Sequence, residues 1–78
     1  MTLKIISAQA VVFQGEVNSV TLPGEMGSFT VLKNHASLVS ILTAGEIVYK
    51  PADGGEQSAS IGGGIVDVDN NIVSVCTY

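Results

Sequence analysis

Arginine and tryptophan are absent from this 78-residue chain, and three lysines face seven acids, leaving a formal net charge of −4. A nucleic-acid binder needs a basic footprint to displace counterions, so that class of function is excluded. An anionic membrane surface is disfavoured on the same ground. Cysteine occurs once, at Cys76, so no intrachain disulfide staples the fold, and a reducing compartment suits the chain better than secretion. Long apolar runs are missing too. The longest, Ala10-Val11-Val12-Phe13, falls far short of the roughly 20 residues of a membrane span or the roughly 7–15 of a signal-peptide core. The expectation is a soluble, cytoplasmic chain with no direct membrane insertion unless a partner holds it at a membrane. Charged residues make up only 13% while hydrophobic ones reach 46%, a balance that excludes intrinsic disorder. A length of this order allows one domain, spanning residues 1–78. Such a chain buries only about 60–65% of its unfolded surface, so its core must be dense.

What the sequence does have is β-branched side chains. Valine, isoleucine and threonine supply 23 of the 78 residues, and their stiffness at χ1 favours pleated strands. Nine glycines and several Asp/Asn clusters cut the chain into short pieces, as in a sandwich or barrel. The runs predict strands over Leu3–Ala8, Val11–Gln14, Val17–Leu22, Ser28–Leu32, Leu38–Leu42, Ile47–Lys50, Gln57–Ile61, Ile65–Val68 and Ile72–Cys76. The expected fold class is all-β, a sandwich or barrel of mostly antiparallel strands. Asp69-Asn70-Asn71 tolerates positive φ and joins two alternating runs as a hairpin. Asp53-Gly54-Gly55 forms a second hairpin, and Pro23-Gly24 marks a turn. Val17 is out of phase with Val20 and Leu22, which predicts a kink or bulge near Asn18-Ser19. One helical turn fits near His35–Ser37.

Candidate chemistry is thin. His35 is the only histidine, and it could serve as a base, as a metal ligand, or as half of a nucleophile pair with Cys76. A metal needs three or four ligands, and no Cys-x-x-Cys or His-x-x-His spacing offers them. A loop histidine making hydrogen bonds or a partner contact is the plainer account. Asp67 and Asp69 alternate with valines, so both carboxylates share one face. A cation site is conceivable there, and the solvated side of a half-buried strand explains them as well. Gly62-Gly63-Gly64 lacks the downstream Lys-Ser/Thr of a phosphate loop, so a bulge or close backbone approach accounts for it better. Cys76 reads as a small buried hydrophobe. No catalytic, cofactor-binding or metal site is expected. So few charges on so small a domain leave apolar surface uncovered, and such patches mark a partner surface. The residues alone describe a rigid all-β adaptor and not an enzyme.

The stretch Gly15-Glu16-Val17-Asn18-Ser19-Val20-Thr21-Leu22-Pro23-Gly24-Glu25-Met26-Gly27-Ser28-Phe29-Thr30-Val31-Leu32-Lys33-Asn34-His35-Ala36-Ser37-Leu38 resembles the ε-subunit family of F-type ATP synthases. So does Gly62-Gly63-Gly64-Ile65-Val66-Asp67-Val68 followed by Asn71-Ile72-Val73-Ser74-Val75. The likeness runs in order over essentially the whole chain. It implies a flattened β-sandwich of about ten strands. It also implies a non-catalytic place in the rotor's central stalk of a bacterial enzyme. There the domain would bind the γ subunit and the polar loops of the c-ring, with other F1 subunits met through the assembled complex. Proton-driven ring rotation would thereby be coupled to ATP synthesis. The location implied is peripheral, at the cytoplasmic face of the bacterial inner membrane.

Carried over by position, the γ-facing residues are Ser7, His35, Ala36, Leu38 and Ser40. The c-ring-facing turn is Pro23, Gly24, Glu25, Met26 and Ser28. Lys33-Asn34 replaces the family's common Pro-Gly or Pro-Asn, and Ser37 a common proline. Ser28 stands where many relatives have an acid, so a charge contact there is lost or passes to Glu25. Members typically continue into two C-terminal helices that can inhibit hydrolysis or, in some, bind ATP. This sequence ends at Tyr78, so neither property is expected of this polypeptide. Two other classes of function compete. A sandwich module for a small ligand or carbohydrate would need a concave site with aromatics, of which only Phe13, Phe29, Tyr49 and Tyr78 exist. A small hydrolase would have to use Cys76 and His35.

Overall fold

In the computed structural model, which describes residues Met1–Tyr78, alternation of β-branched and small polar residues pleats the chain into eight strands with no helix. They are β1 (Thr2–Ile6), β2 (Val11–Gly24), β3 (Gly27–Leu32), β4 (Leu38–Leu42), β5 (Gly45–Pro51), β6 (Gln57–Ile61), β7 (Gly64–Asp69) and β8 (Ile72–Thr77). The all-β class stands. The runs Val11–Gln14 and Val17–Leu22 are one 14-residue strand, since Gly15-Glu16 stays extended between them. The first strand stops at Ile6, short of Ala8, because Ser7 donates its N–H to the Ala10 carbonyl and its hydroxyl accepts from the Ala10 N–H. The helical turn expected near His35–Ser37 does not form. Asn34 adopts a left-handed φ of 64°, which no right-handed helical turn can continue.

The strands join one hydrogen-bonded sheet in the order β1-β8-β7-β4-β2-β5-β6, with β3 also on β2 and an extra β1–β2 pairing. That extra pairing folds the sheet back on itself through β2, giving layers β1-β8-β7-β4 and β3-β2-β5-β6 in a molecule of 27 × 25 × 18 Å. All pairings are antiparallel except β1–β8. Two bulges bend β2. Pairing with β5 slips between Val17 and Ser19, at the place where the valine phase breaks. Pairing with β1 slips at Ile5/Ile6, leaving Val12 as the extra residue.

Leu3, Ile5, Val66, Val68, Val73 and Val75 from one layer meet Val20, Leu22, Val31, Ile47, Tyr49 and Ile61 from the other in a single core. Full burial of each aliphatic chain stabilises by about 1.5–3 kcal/mol. No buried side-chain polar atom lacks a partner. The Asn70-Asn71 turn between β7 and β8 has φ of 50° and 63°, the doubly left-handed geometry that matches strand twist. Gly64, at φ +156°, lies where a Cβ would overlap the Cys76 carbonyl. The triple glycine is thus a close backbone approach, as expected.

Candidate partner-binding face

Cross-strand register sorts the side chains of the β4-β7-β8-β1 layer into rows, because paired residues share a face. Ile41, Ile65, Cys76, Ile6 and Val11 form one continuous row across five strands, on the outer surface. Four of them are 54%, 46%, 39% and 58% exposed in the case of Ile41, Ile65, Ile6 and Val11, and Cys76 is exposed as well. Val12, bulged beside Val11, and Val39, one rung along from Ile41, widen the stripe. The next row is Val39, Asp67, Ser74, Lys4 and Gln14, and the third runs Asp69, Ile72, Thr2 and Glu16. The opposite outer surface is different in kind. Its rungs are Thr30, Thr21, Val48 and Ser58, then Leu32, Ser19 and Lys50, and the Thr21 and Thr30 hydroxyls hydrogen-bond at 2.8 Å. One broad face carries a continuous apolar row along one end, and the other carries rungs in which hydroxyls predominate.

The exposure of Cys76 corrects its reading as a buried hydrophobe. The parallel β1–β8 register pairs Cys76 with Ile6, and both point outward while Val75 and Ile5 fill the core. His35 and Cys76 also lie at opposite ends of β8. His35 precedes Leu38, which pairs with Val68, whereas Cys76 pairs with Ile65. The nucleophile pair that sequence separation left open does not form. The His35 imidazole instead holds the neighbouring Ala36 carbonyl through Nδ1 at 2.7 Å.

The loop carrying His35 and Ala36 is tied to the β7–β8 turn. Asn34 donates its N–H to Asn71 Oδ1 at 2.9 Å, and the Ser37 hydroxyl donates to Asp69 Oδ1 at 2.7 Å. Ser7 lies at the other end of the same sheet, just past Ile6. The structure therefore places Ser7 and His35–Ala36 on either side of the apolar stripe and does not bring them together. Leu38 and Ser40 pair with buried Val68 and Val66, so they sit half-buried on the inner side of β4. The outward residues of that strand are Val39 and Ile41. Sequence reasoning missed them, along with Ile65, Ile6 and Val11. The signal was present in the period-2 phase of β4, where Leu38 and Leu42 mark the inner side.

The second predicted cluster occupies the β2–β3 hairpin. Glu25 and Met26 form its tip, Met26 being 98% exposed, while Gly24 is buried and Pro23 half-buried. Any Cβ on Gly24 would meet the Gly27 carbonyl and the Phe29 ring. Glu25 donates its N–H to the Ile41 carbonyl at 2.9 Å, and Thr43 to that of Pro23 at 2.8 Å. The hairpin is braced on β4, and it stands at the far end of that strand from the His35 loop.

Asp67 and Asp69 are exposed on the outer surface beside Val39 and Ile72, and no group of three or more potential metal ligands is clustered anywhere. Glu16 is the one titratable group whose acidity is clearly displaced. A hydrogen bond from the Thr2 hydroxyl, then one from the Met1 ammonium, hold its carboxyl below the usual value of 4.5. The largest concavity, about 510 Å³, is an open cleft between β2 and the β5–β6 loop with Phe13 as its one aromatic.

A family model described as "ATP synthase, Delta/Epsilon chain, beta-sandwich domain" matches residues 1–78. The chain is 48% identical to the ATP synthase epsilon chain of Sulfurovum sp. over 69 residues, which is 88% of this chain and 54% of that one. It is 45% identical to the epsilon chain of Nitratiruptor sp. over 71 residues, 91% of this chain and 55% of that one. The chain thus spans about half the length of the curated relatives it matches. Among solved structures, a chain of the Euglena gracilis mitochondrial ATP synthase (OSCP/F1/c-ring) superimposes with a TM-score of 0.88 at 23% identity, over 96% of this chain and 48% of that one. A chain of the Tetrahymena thermophila mitochondrial ATP synthase central stalk/c-ring does so at 0.79 and 15%, over 99% and 62%. At those identities the likeness is one of fold.

Proposed function

From the premise that this chain belongs to the ATP synthase delta/epsilon β-sandwich family, we propose that it serves as a non-catalytic subunit of the enzyme's central stalk. In this reading it binds the γ subunit and the polar loops of the c-ring of a bacterial ATP synthase. It lies peripherally at the cytoplasmic side of the inner membrane and passes proton-driven rotation to the catalytic head. The observation that carries the reading is the apolar stripe Ile41–Ile65–Cys76–Ile6–Val11, an uncovered hydrophobic row on a molecule whose other broad face is largely hydroxylated. Contiguous exposed apolar surface marks a protein–protein contact. The γ contact is assigned to that stripe with Val39, flanked by Ser7 at one end and His35–Ala36 at the other. Leu38 and Ser40 support it from below by packing inward. The exposed Glu25-Met26 tip and Ser28 are assigned to the c-ring, since the braced hairpin projects from the far end of β4.

The mechanical logic is that of a stiff spacer. Close-packed cores transmit strain with little compliance, and the hairpin and the His35 loop are both hydrogen-bonded to the same layer. The test is co-expression with the γ subunit from the same source, followed by affinity capture. Wild-type chain is expected to retain γ, and Ile41→Asp to lose it while still folded. Capture of γ at full strength by Ile41→Asp, with the variant's melting curve intact, would refute the assignment of the face.

A further inference from the structure

The apolar stripe is not uniform along the strands, and its charges are arranged with a handedness of their own. In the row beside it, Asp67 on β7 and Lys4 on β1 stand on either side of Ser74 on β8, one strand to the left and one to the right. Rotating a second copy by 180° about an axis along β8, within the plane of the face, exchanges β7 with β1 and β4 with β2. Each Asp67 then faces a Lys4, Ile65 faces Ile6, Ile41 faces Val11, and Cys76 and Ile72 face their own copies. No like charges meet in the first two rows.

We propose that, apart from other partners, two copies of this chain associate face to face about β8 through this stripe. A two-fold contact must be complementary to itself, and of the in-plane axes along and across the strands at Cys76 only the one along β8 pairs Asp67 with Lys4. An axis across the strands would leave both charges without a counterpart. The row crosses four interstrand gaps of about 4.8 Å, about 19 Å in all, most of the 25 Å breadth of the molecule. That footprint lies at the small end of specific interfaces, so the dimer forms reversibly and with concentration. This inference rests on the geometry of the face and not on the stalk reading, although γ would compete for the same surface.

Sedimentation equilibrium of the purified chain, from about 5 to 200 µM, reads the association directly. The average mass is expected to climb from one 8.0 kDa chain toward two. A bismaleimide with a reach near the ~10 Å spacing of stacked sheets is expected to join the sole cysteine, Cys76, to its counterpart. Lys4→Asp and Asp67→Lys singly are each expected to weaken the dimer by about tenfold, and the double swap to recover it to within about threefold, because it only exchanges the partners' signs. Melting curves confirm that each variant is folded. Should one charge reversal fail to fold, Lys4→Gln and Asp67→Asn with salt titration replace it, the wild-type dimer weakening with salt and the neutral pair not. A single-chain mass at every concentration overturns the proposal, and so does a dimer that the double swap does not recover. Adding γ separates the two readings. A dimer that γ fails to dissociate keeps this inference and sinks the γ assignment, whereas a monomer that binds γ does the reverse.

Discussion

Ile65 on β7 and Cys76 on β8 are direct cross-strand partners on the outer surface, and both are open to solvent. Their backbone neighbours Val66 and Val75 are paired just as directly and are fully enclosed. The same two strands therefore supply hydrophobic rows to both sides of one sheet. A lone folded monomer leaves about half of each side chain in the outer row open to water, which is why that row carries the functional assignment.

The inner and outer phases of β4 separate folding from binding. Ile41→Asp is expected to cost about 1 kcal/mol or less in urea unfolding, as a strand-propensity change on an open face, and to abolish capture of γ. Leu38→Asp, placing a charge against the core cluster, is expected to cost at least about 3 kcal/mol and to expand the fold. Equal loss of stability in the two variants would contradict the phase assigned here.

At Gly64 the backbone demands the absence of a side chain. Gly64→Ala combines a left-handed φ with an overlap onto the Cys76 carbonyl, so a loss of more than about 2 kcal/mol is expected. Gly54→Ala, where a Cβ meets nothing within 4 Å, is expected to shift stability by less than about 1 kcal/mol. Chemical denaturation of the pair reads the difference.

Asn71 has two duties, a left-handed turn and a hydrogen bond to the Asn34 N–H. Asn71→Gly keeps the first and removes the second. It is expected to cost about 0.5–1.5 kcal/mol and to speed amide exchange at Asn34 and His35 with the β7–β8 ladder unchanged. Asn71→Val, which resists positive φ, is expected to cost more and to disturb the ladder itself.

Glu16 ties the start of β1 to β2 only while ionised. Its folded pKa is lowered by Thr2 and the N-terminal ammonium, so its contribution is present above the ordinary carboxylate value of 4.5 and fades as pH falls through the lower folded value. Glu16→Gln is expected to flatten the acid limb of the stability–pH profile and to leave its slope near neutrality untouched. An unchanged acid limb would show that other carboxylates govern it.

The class of fold was readable because β-branched periodicity and Asn/Gly punctuation are local signals. The β7–β8 hairpin is legible for that reason, and so is the β2 bulge, through the broken phase of Val17. The stripe was not readable, because a row exists only once register is fixed. Ile6, Val11, Ile41, Ile65 and Cys76 come from five strands, and their positions along the chain follow no local period that marks them as one row. Reading Cys76 as a small buried hydrophobe follows cysteine's general habit and overlooks the strand phase of its neighbour Val75, a core residue. Being next to Val75 is what puts it on the other side. His35 and Ser7 are assigned to the γ-facing edge by family likeness alone, since a lone histidine and a strand-end serine carry no local signal of a partner.

The lone parallel pairing has a consequence for biosynthesis. It joins Thr2 to Ile72 and Ile6 to Cys76, so β1 waits for β8, far downstream in the chain, before its hydrogen bonds on that side are met. Contacts so distant in the chain slow folding and leave strand edges bare meanwhile. Until β8 emerges, Leu3 and Ile5 have only β2 beside them and lack Val73 and Val75, and chaperones at the ribosome exit would meet an unclosed sheet.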